Sequence, residues 1–149
     1  MRETDYEAMR QALNEAAQAQ AEGEIPVGAV IVCQGKIIAS AHNLREKLVD
    51  PTAHAEVLAI RQAAKALNSR RLQRCSLFVT LEPCAMCAGA AVAAGIERIV
   101  FGAYDAQRGC AGSRYSIPED PELGSTKCVG GFMEKESGDL LRDFFETKR

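Results

Sequence analysis

Two short stretches of this sequence carry side chains that can bind a metal ion and transfer protons, one at His54 and Glu56 and the other at Cys84 and Cys87. The two cysteines are three residues apart, so on a helix their sulfur atoms lie on the same face and can bind one ion. A helix N-terminus also favours negative charge, which helps to keep both as thiolates. His54 supplies a third donor, and one histidine with two cysteines suits zinc better than magnesium or calcium.

The number of candidate ligands favours a catalytic site over a structural one. Structural zinc sites are closed by four protein ligands, whereas catalytic sites keep one position for water. The second histidine, His42, falls at the end of a predicted strand, and the sequence has no second Cys-x-x-Cys. Three protein ligands plus water is therefore the simplest interpretation, and zinc brings the pKa of such a water molecule to about 7.

Glu56 is the predicted catalytic residue, two positions after the candidate ligand His54. A carboxylate placed there can take a proton from the water and deliver it to the substrate. His-x-Glu followed by Pro-Cys-x-x-Cys is the signature of zinc deaminases that act on nucleobases. Each half is weak alone, but the two together, each opening a helix, make a strong pattern.

The same residues also allow three roles without deaminase chemistry. A lone Cys-x-x-Cys can be a redox pair, although this one lacks the sequence context of such a motif and follows a proline. Cys110 or His42 could complete a structural zinc site. Glu56 could simply complement the dipole of its helix.

Apolar periodicity and turn residues define the elements that must position these groups. Apolar residues at three- and four-residue spacing predict helices, and short β-rich runs bounded by turn residues predict strands. The predicted helices are Thr4–Gly23, a segment from near Ala53 through Leu67, Pro83–Gly95, and Glu136–Thr147 with Leu140, Leu141, Phe144 and Phe145 facing inward. The predicted strands are Pro26–Cys33, Lys36–Ala41, Ser76–Leu81 and Glu97–Gly102, and a long loop spans Ala103–Lys127.

The order of these elements predicts an α/β layered fold. Helical crossovers make the later strands parallel, while the hairpin of the first two strands adds an antiparallel pair, so the sheet is mixed. The chain has 149 residues and shows neither a repeat nor a linker. It therefore fits one domain, residues 1–149.

Composition and charge narrow the function only slightly. The formal net charge of −2 gives no electrostatic indication of nucleic-acid binding. The N-terminus is charged from its first turn, and the small apolar stretch Ala85–Ile96 is too short to span a bilayer. We therefore expect a cytoplasmic protein without a membrane partner. The six cysteines are expected to be reduced, and Cys33, Cys75, Cys110 and Cys128 to pack as small hydrophobes.

Around the two chemistry-bearing stretches, the chain resembles the cytidine and deoxycytidylate deaminase superfamily and, within it, the bacterial tRNA-specific adenosine deaminases. The resemblance covers nearly the whole chain. The matching segments are Ile25–Ile31, Ala41–Asn43, Asp50–Glu56, Thr80–Ala90, Val100–Ala103, Asp105, Gly109–Ser113 and Asp143–Phe145. The segment Asp50–Glu56 is also similar to guanine deaminases of the same superfamily.

This resemblance implies a three-layer α/β/α cytidine-deaminase-like fold with a mixed central sheet of about five strands. It implies a homodimer with one zinc ion per subunit, which binds the tRNA anticodon stem-loop and hydrolyses the wobble adenosine to inosine and ammonia. Zinc-bound hydroxide would attack C6 of the flipped adenine, while Glu56 protonates N1 and then the leaving amine. By the same resemblance Asn43 hydrogen-bonds the base, Asp105 lies near the sugar of the target nucleotide, and Val27 forms part of the pocket wall. Turn or cap roles are the alternative for Asn43 and Asp105.

Two segments depart from the family pattern, both in parts that meet tRNA in the family. The segment Leu123–Lys127 has no histidine where the family usually carries an Asn-His pair, and the basic tail is short, with Lys148 and Arg149. Two competing hypotheses therefore stay open. The first is a deaminase of a free base or nucleoside, such as guanine or cytosine. The second is a non-catalytic zinc-binding subunit, which would have no need of Glu56.

Overall fold

The computed structural model describes residues 1–147, so Lys148 and Arg149, which are the predicted basic tail and the last two residues of the predicted domain, lie outside the described residues. The helices are α1 (Glu3–Ala21), α2 (Ala55–Leu67), α3 (Ala85–Ala94) and α4 (Glu134–Thr147). The strands are β1 (Gly28–Cys33), β2 (Lys36–His42), β3 (Cys75–Leu81), β4 (Arg98–Ala103) and β5 (Lys127–Val129). Within residues 1–147, each helix is too short or too polar to cross a membrane.

The five strands form one mixed sheet in the order β2-β1-β3-β4-β5. Strand β1 pairs antiparallel with both β2 and β3, while β3 with β4 and β4 with β5 are parallel. The parallel pair of β3 and β4 is connected by the helical crossover α3, and the hairpin of β1 and β2 has a tight turn, as the order of elements predicts. The parallel pair of β4 and β5 is instead connected by the loop of residues 104–126, which contains no helix. The predicted mixed α/β sheet is therefore confirmed.

Helices cover both faces of this sheet, because successive strand residues point to opposite sides. On one face, Met9 of α1 packs against Val30, Phe78 and Val100, and α4 lies beside α1 over β4. On the other face, small residues of α2 and α3 pack against the alternate strand positions. That second cluster includes Ala55, Ala59, Ala63, Ala91, Ala94, Ile31, Leu77, Val79 and Ile99. The three-layer α/β/α arrangement is confirmed.

Gly28 lets α1 lie directly on the start of β1. A Cβ atom at this position would lie 1.9 Å from the backbone oxygen of Ala12 and 2.7 Å from the backbone nitrogen of Ala16. Only a residue without a Cβ permits this approach. The contact fixes the first strand just after the segment that contains Val27.

Helices α2 and α3 begin two residues later than predicted, and the difference concerns the candidate ligands. His54 and Cys84 are the N-cap residues of the two helices, with extended backbones at ψ 150° and 179°. Each residue therefore stands just before its helix, where the first backbone N–H groups lack intrahelical partners.

Two further details differ from the sequence-based expectation. Strand β5 falls where the predicted long loop ends, and its three residues are too few to show alternation. Phe145 is 53% exposed, whereas its neighbour Phe144 is 7% exposed, so the expectation that both face inward is wrong. Adjacent helical positions point about 100° apart, so Phe145 can point to solvent while Phe144 points to the core.

Candidate active site

The candidate active site lies at the end of the sheet where β3 stops and where α2 and α3 begin. His54 precedes α2, and Cys84 follows β3 after a two-residue connection. The N-termini of both helices therefore converge on one place. Their partial positive charges favour anionic groups there, including thiolates and a carboxylate.

The three candidate ligands form a compact donor set. Nδ1 of His54 lies 3.7 Å from Sγ of Cys84 and 3.5 Å from Sγ of Cys87. The three donor atoms all lie within 4.8 Å of one another. Tetrahedral zinc with Zn–S near 2.3 Å and Zn–N near 2.0 Å sets its donors roughly 3.5–3.8 Å apart. The residues present therefore fit a tetrahedral zinc ion, with one coordination position left for a non-protein ligand.

The charges of this donor set are coupled. A hydrogen bond from the Cys87 thiol, assisted by His54, lowers the pKa of Cys84 to about 3 in spite of its partial burial. The same contact with Cys84 raises the pKa of Cys87, and burial adds to the effect. A hydrogen bond to Cys84 raises the pKa of His54. Without a metal ion the pair of cysteines thus carries one negative charge, and a bound cation would release the second proton.

Glu56 lies in the first turn of α2 with its carboxylate against this donor set. The residue is 4% exposed. Burial raises the pKa of its carboxyl group to about 7, and the negative charge of Cys84 acts in the same direction. The contact with the Cys87 side chain acts in the opposite direction and lowers this pKa. A carboxylate with this environment can both accept and donate a proton near neutral pH.

A cleft of about 670 Å³ opens onto the donor set. Its volume lies within the range of small-molecule sites, about 300–1,000 Å³. The wall includes residues from both sides of the sheet end and from α4. They are Ile25, Val27, Asn43, Arg45, His54, Glu56, Leu81, Glu82, Cys84, Tyr104, Asp105, Ala106, Gln107, Arg108, Leu141 and Phe145.

The three predicted substrate-binding residues all line this cleft. Val27 and Asn43 are each 5% exposed. Oδ1 of Asn43 accepts a hydrogen bond of 2.7 Å from the backbone N–H of Ala55, and Nδ2 donates one of 3.3 Å to the carbonyl of Ile25. The second proton of Nδ2 is thus available to a ligand. Oδ1 of Asp105 accepts backbone N–H bonds that close a tight turn.

Sequence reasoning missed several side chains of the cleft, above all Arg45, Glu82 and Tyr104. Nε of Arg45 is buried and has no hydrogen-bond partner among residues 1–147. Glu82 carried a usable signal, because a charged residue directly after a buried strand marks the sheet end where sites form. Arg45 and Tyr104 carried none, because their approach depends on loops that meet only in the fold.

The residues considered as a fourth zinc ligand lie elsewhere. Nδ1 of His42 is 2.6 Å from a carboxylate oxygen of Glu15, and Nε2 is 3.3 Å from one of Glu22. Cys110 is buried near Cys84, and its thiol points to the carbonyl of Arg108 at 3.6 Å. Among residues 1–147, the candidate metal group contains His54, Cys84 and Cys87 alone. All six cysteines, each of them within residues 1–147, are free of disulfide bonds.

The fold and the donor set agree with a known family. The model of the cytidine and deoxycytidylate deaminase zinc-binding region matches residues 2–103. The chain therefore belongs to the cytidine and deoxycytidylate deaminase family. The family resemblance found in the sequence is confirmed.

Particular relatives narrow the comparison. The chain is 46% identical to the tRNA-specific adenosine deaminase of Bacillus subtilis over 95% of this chain and 88% of that protein. A solved structure from a study of A-to-I editing by tRNA:A34 deaminases matches with a TM-score of 0.88 at 40% identity. That match covers 91% of this chain and 99% of the other. The guanine deaminase structure of Bacillus subtilis matches with a TM-score of 0.64 at 40% identity, over 70% of this chain and 66% of that one.

Proposed function

We propose that this chain is a zinc-dependent hydrolytic deaminase that converts adenosine to inosine at the wobble position of tRNA. The observation that carries the proposal is the donor set of His54, Cys84 and Cys87 with Glu56 beside it at the base of an open cleft. Three protein donors leave room for water, which a hydrolytic reaction requires. The similarity over most of the chain to tRNA-specific adenosine deaminases supports the substrate.

Each residue of the site has a role in this reaction. His54, Cys84 and Cys87 would hold the zinc ion, which when bound supplies the Lewis acidity that activates water for attack at C6. Glu56 accepts one proton from the water and delivers it to N1, and it then carries the second proton, from the hydroxyl group added at C6, to the leaving amine. Adenosine and water thus become inosine and ammonia.

The walls of the cleft position the base and its sugar. Asn43 donates the free proton of its amide to the base, and its two protein hydrogen bonds hold the amide in that orientation. Val27 supplies an apolar surface on one side. Asp105 lines the same cleft, and we assign it to the sugar of the flipped nucleotide, as the family resemblance implies. Phe145, exposed at the rim, offers a ring on which a neighbouring base can stack.

Deamination of free guanine is the second candidate. The similarity to a guanine deaminase structure supports it, although that match covers less of each chain than the match to the tRNA:A34 deaminase study. The third hypothesis, a non-catalytic zinc-binding subunit, gives no reason for the buried carboxylate of Glu56 beside the donor set.

The deciding experiment compares substrates on zinc-loaded protein. One arm uses an arginine tRNA with the anticodon ACG, and its matched control is the same tRNA with G at the wobble position. The other arms use guanine, cytosine, adenosine and cytidine. We expect inosine in the ACG tRNA alone, measured by nucleoside mass spectrometry after nuclease digestion. Ammonia from a free base, with the tRNA unchanged, would contradict the proposal.

We also propose that the protein acts in the cytoplasm as a homodimer of one domain, residues 1–149, with one zinc ion per subunit. The outer face of α3 supports the dimer, because Met86 is 37% exposed and the space around Gly89 is open. The inner face of the same helix is used within the chain, where Ala88 and Ala91 are fully buried. Light scattering on the gel-filtration peak should give twice the chain mass of 16.1 kDa. A peak at the mass of one chain would contradict the proposed homodimer.

A further inference from the structure

Glu82 is a buried carboxylate that the reaction described above does not use. It lies between the end of β3 and the segment Pro83-Cys84, and it is 2% exposed. Among residues 1–147, its side chain forms no ion pair with a lysine, arginine or histidine. A buried carboxylate is costly unless hydrogen bonds replace the water that it loses.

Those hydrogen bonds all come from one segment, residues 105–113. Oε1 of Glu82 accepts from the backbone N–H of Asp105 at 3.0 Å and from the hydroxyl of Ser113 at 2.5 Å. Oε2 accepts from the backbone N–H groups of Ala111 at 3.1 Å and of Ser113 at 2.9 Å. Each oxygen thus accepts two hydrogen bonds, which fills the acceptor positions of a carboxylate. None is left for a substrate.

The backbone of the 105–113 segment lies unusually close to this carboxylate at Gly109. A Cβ atom there would lie 2.3 Å from Cδ of Glu82 and 2.4 Å from Oε1. The next residue, Cys110, donates its backbone N–H to the carbonyl of Pro83 at 2.8 Å. The segment is therefore attached at several points to the stretch that carries the metal ligand Cys84.

The same segment forms one wall of the cleft. The N–H of Asp105 is held by Glu82, and Oδ1 of Asp105 in turn accepts from the backbone N–H groups of Gln107 at 3.1 Å and Arg108 at 3.0 Å. All three side chains line the cleft. The positions of Asp105 and Arg108 relative to the donor set therefore depend on the carboxylate of Glu82.

We propose that Glu82 is a positioning residue for the substrate, because its carboxylate holds the 105–113 segment, and with it Asp105 and Arg108, in the wall of the cleft that opens onto the donor set. The kinetic consequence rests on the proposed tRNA deamination, whereas the structural consequence does not. The four hydrogen bonds, from the hydroxyl of Ser113 and from three backbone N–H groups, replace the water that the carboxylate of Glu82 loses on burial.

The variant Glu82→Gln tests this role with almost no change of shape. Whichever way the amide is turned, its NH₂ group replaces a carboxylate oxygen that accepted two hydrogen bonds. Some of the four hydrogen bonds to the 105–113 segment are therefore lost. Ser113→Ala removes only the hydroxyl bond and should have a smaller effect. Asp5→Asn is the matched control, since Asp5 is a buried carboxylate, 6% exposed, at the opposite end of the sheet.

Two readouts on zinc-loaded proteins decide the matter. The first is trypsin cleavage after Arg108, which is followed by mass spectrometry and should be faster in Glu82→Gln than in wild type or Asp5→Asn. The second is steady-state deamination of the ACG tRNA. There KM should rise at least about tenfold, the loss typical of a hydrogen bond to a charged group, with a smaller change in kcat and with zinc retained.

Each outcome has one meaning. Faster cleavage together with a raised KM supports the positioning role. Cleavage at the wild-type rate, or a KM equal to that of wild type, overturns it, as does an equal rise of KM in Asp5→Asn. If wild-type protein does not deaminate the tRNA, the proposed function fails. The rate of cleavage after Arg108 then still decides whether Glu82 holds the segment.

Discussion

Replacing Glu56 by glutamine separates two consequences of burying this carboxylate, one for catalysis and one for stability. The side chain keeps its shape, but it can no longer carry a proton between water and substrate. Positioned acid–base groups contribute about 10²–10⁴-fold to rate. We therefore expect kcat on the ACG tRNA to fall by about 10²–10⁴-fold while zinc stays bound, because His54, Cys84 and Cys87 are unchanged.

Although Glu56→Gln should lower kcat, it should make the metal-free protein more stable. Burial raises the pKa of Glu56 from 4.5 to about 7. Because ionisation of this carboxyl group is penalised only in the folded state, the free energy of unfolding of the protein falls as the pH rises from 4.5 through 7. A shift of this size corresponds to about 3 kcal/mol. Glutamine has no such loss, so the advantage of Glu56→Gln should be near zero at pH 4.5 and reach about 3 kcal/mol above pH 7.

The assay is urea unfolding of both metal-free proteins at pH 5 and pH 8, beside turnover and zinc content of the loaded proteins. Glu7→Gln is the matched control, since Glu7 is exposed on α1 and its replacement should leave stability unchanged at either pH. Turnover of Glu56→Gln within tenfold of wild type would refute the proton-transfer role. A stability difference that does not grow with pH would refute the reasoning from burial.

Three further perturbations test other parts of the structure. Cys87→Ala removes one of three donors and should lose zinc on gel filtration, whereas Cys128→Ala should keep it. Equal metal contents of the two variants by mass spectrometry would contradict the assignment of Cys87 as a ligand. Gly28→Ala places a Cβ 1.9 Å from a backbone oxygen of α1 and should lower the free energy of unfolding by about 1–3 kcal/mol. Gly138→Ala, in open space on α4, should raise it by about 1 kcal/mol, and the reverse order in urea unfolding would contradict this packing. Burial disfavours the ionised form of Asp5, but hydrogen bonds from Arg2 and Arg98 hold the pKa of its carboxyl group below 3.8. The stability lost in Asp5→Asn, about 1–2 kcal/mol at pH 7, should therefore disappear as the pH falls through that lowered pKa, and a gap that persists in acid would refute the pairing.

Local patterns predicted the fold well where the signal lies within one element. Apolar periodicity, turn residues and the helical crossover predicted the hairpin, the helices before and after β3, and the parallel pair of β3 and β4. The three-residue strand β5 was not predicted, because its partners in β4 lie 29 positions away along the chain and β5 carries no pattern of its own. Phe145 was misplaced because composition alone does not tell which residue of an apolar pair faces the core.

The spacing of Cys84 and Cys87, and the pairing of His54 with Glu56, come from the sequence, because each pair is close along the chain and helix geometry fixes the rest. That chemistry was enough to predict zinc and a proton carrier. The tertiary structure decided how far the two pairs stand apart, since only the packing of α2 and α3 against β3 brings Nδ1 of His54 within 3.5 Å of Sγ of Cys87. It also decided the cleft wall, because Glu82 meets residues 105–113 through hydrogen bonds that span 23 to 31 positions, and no local pattern records such contacts.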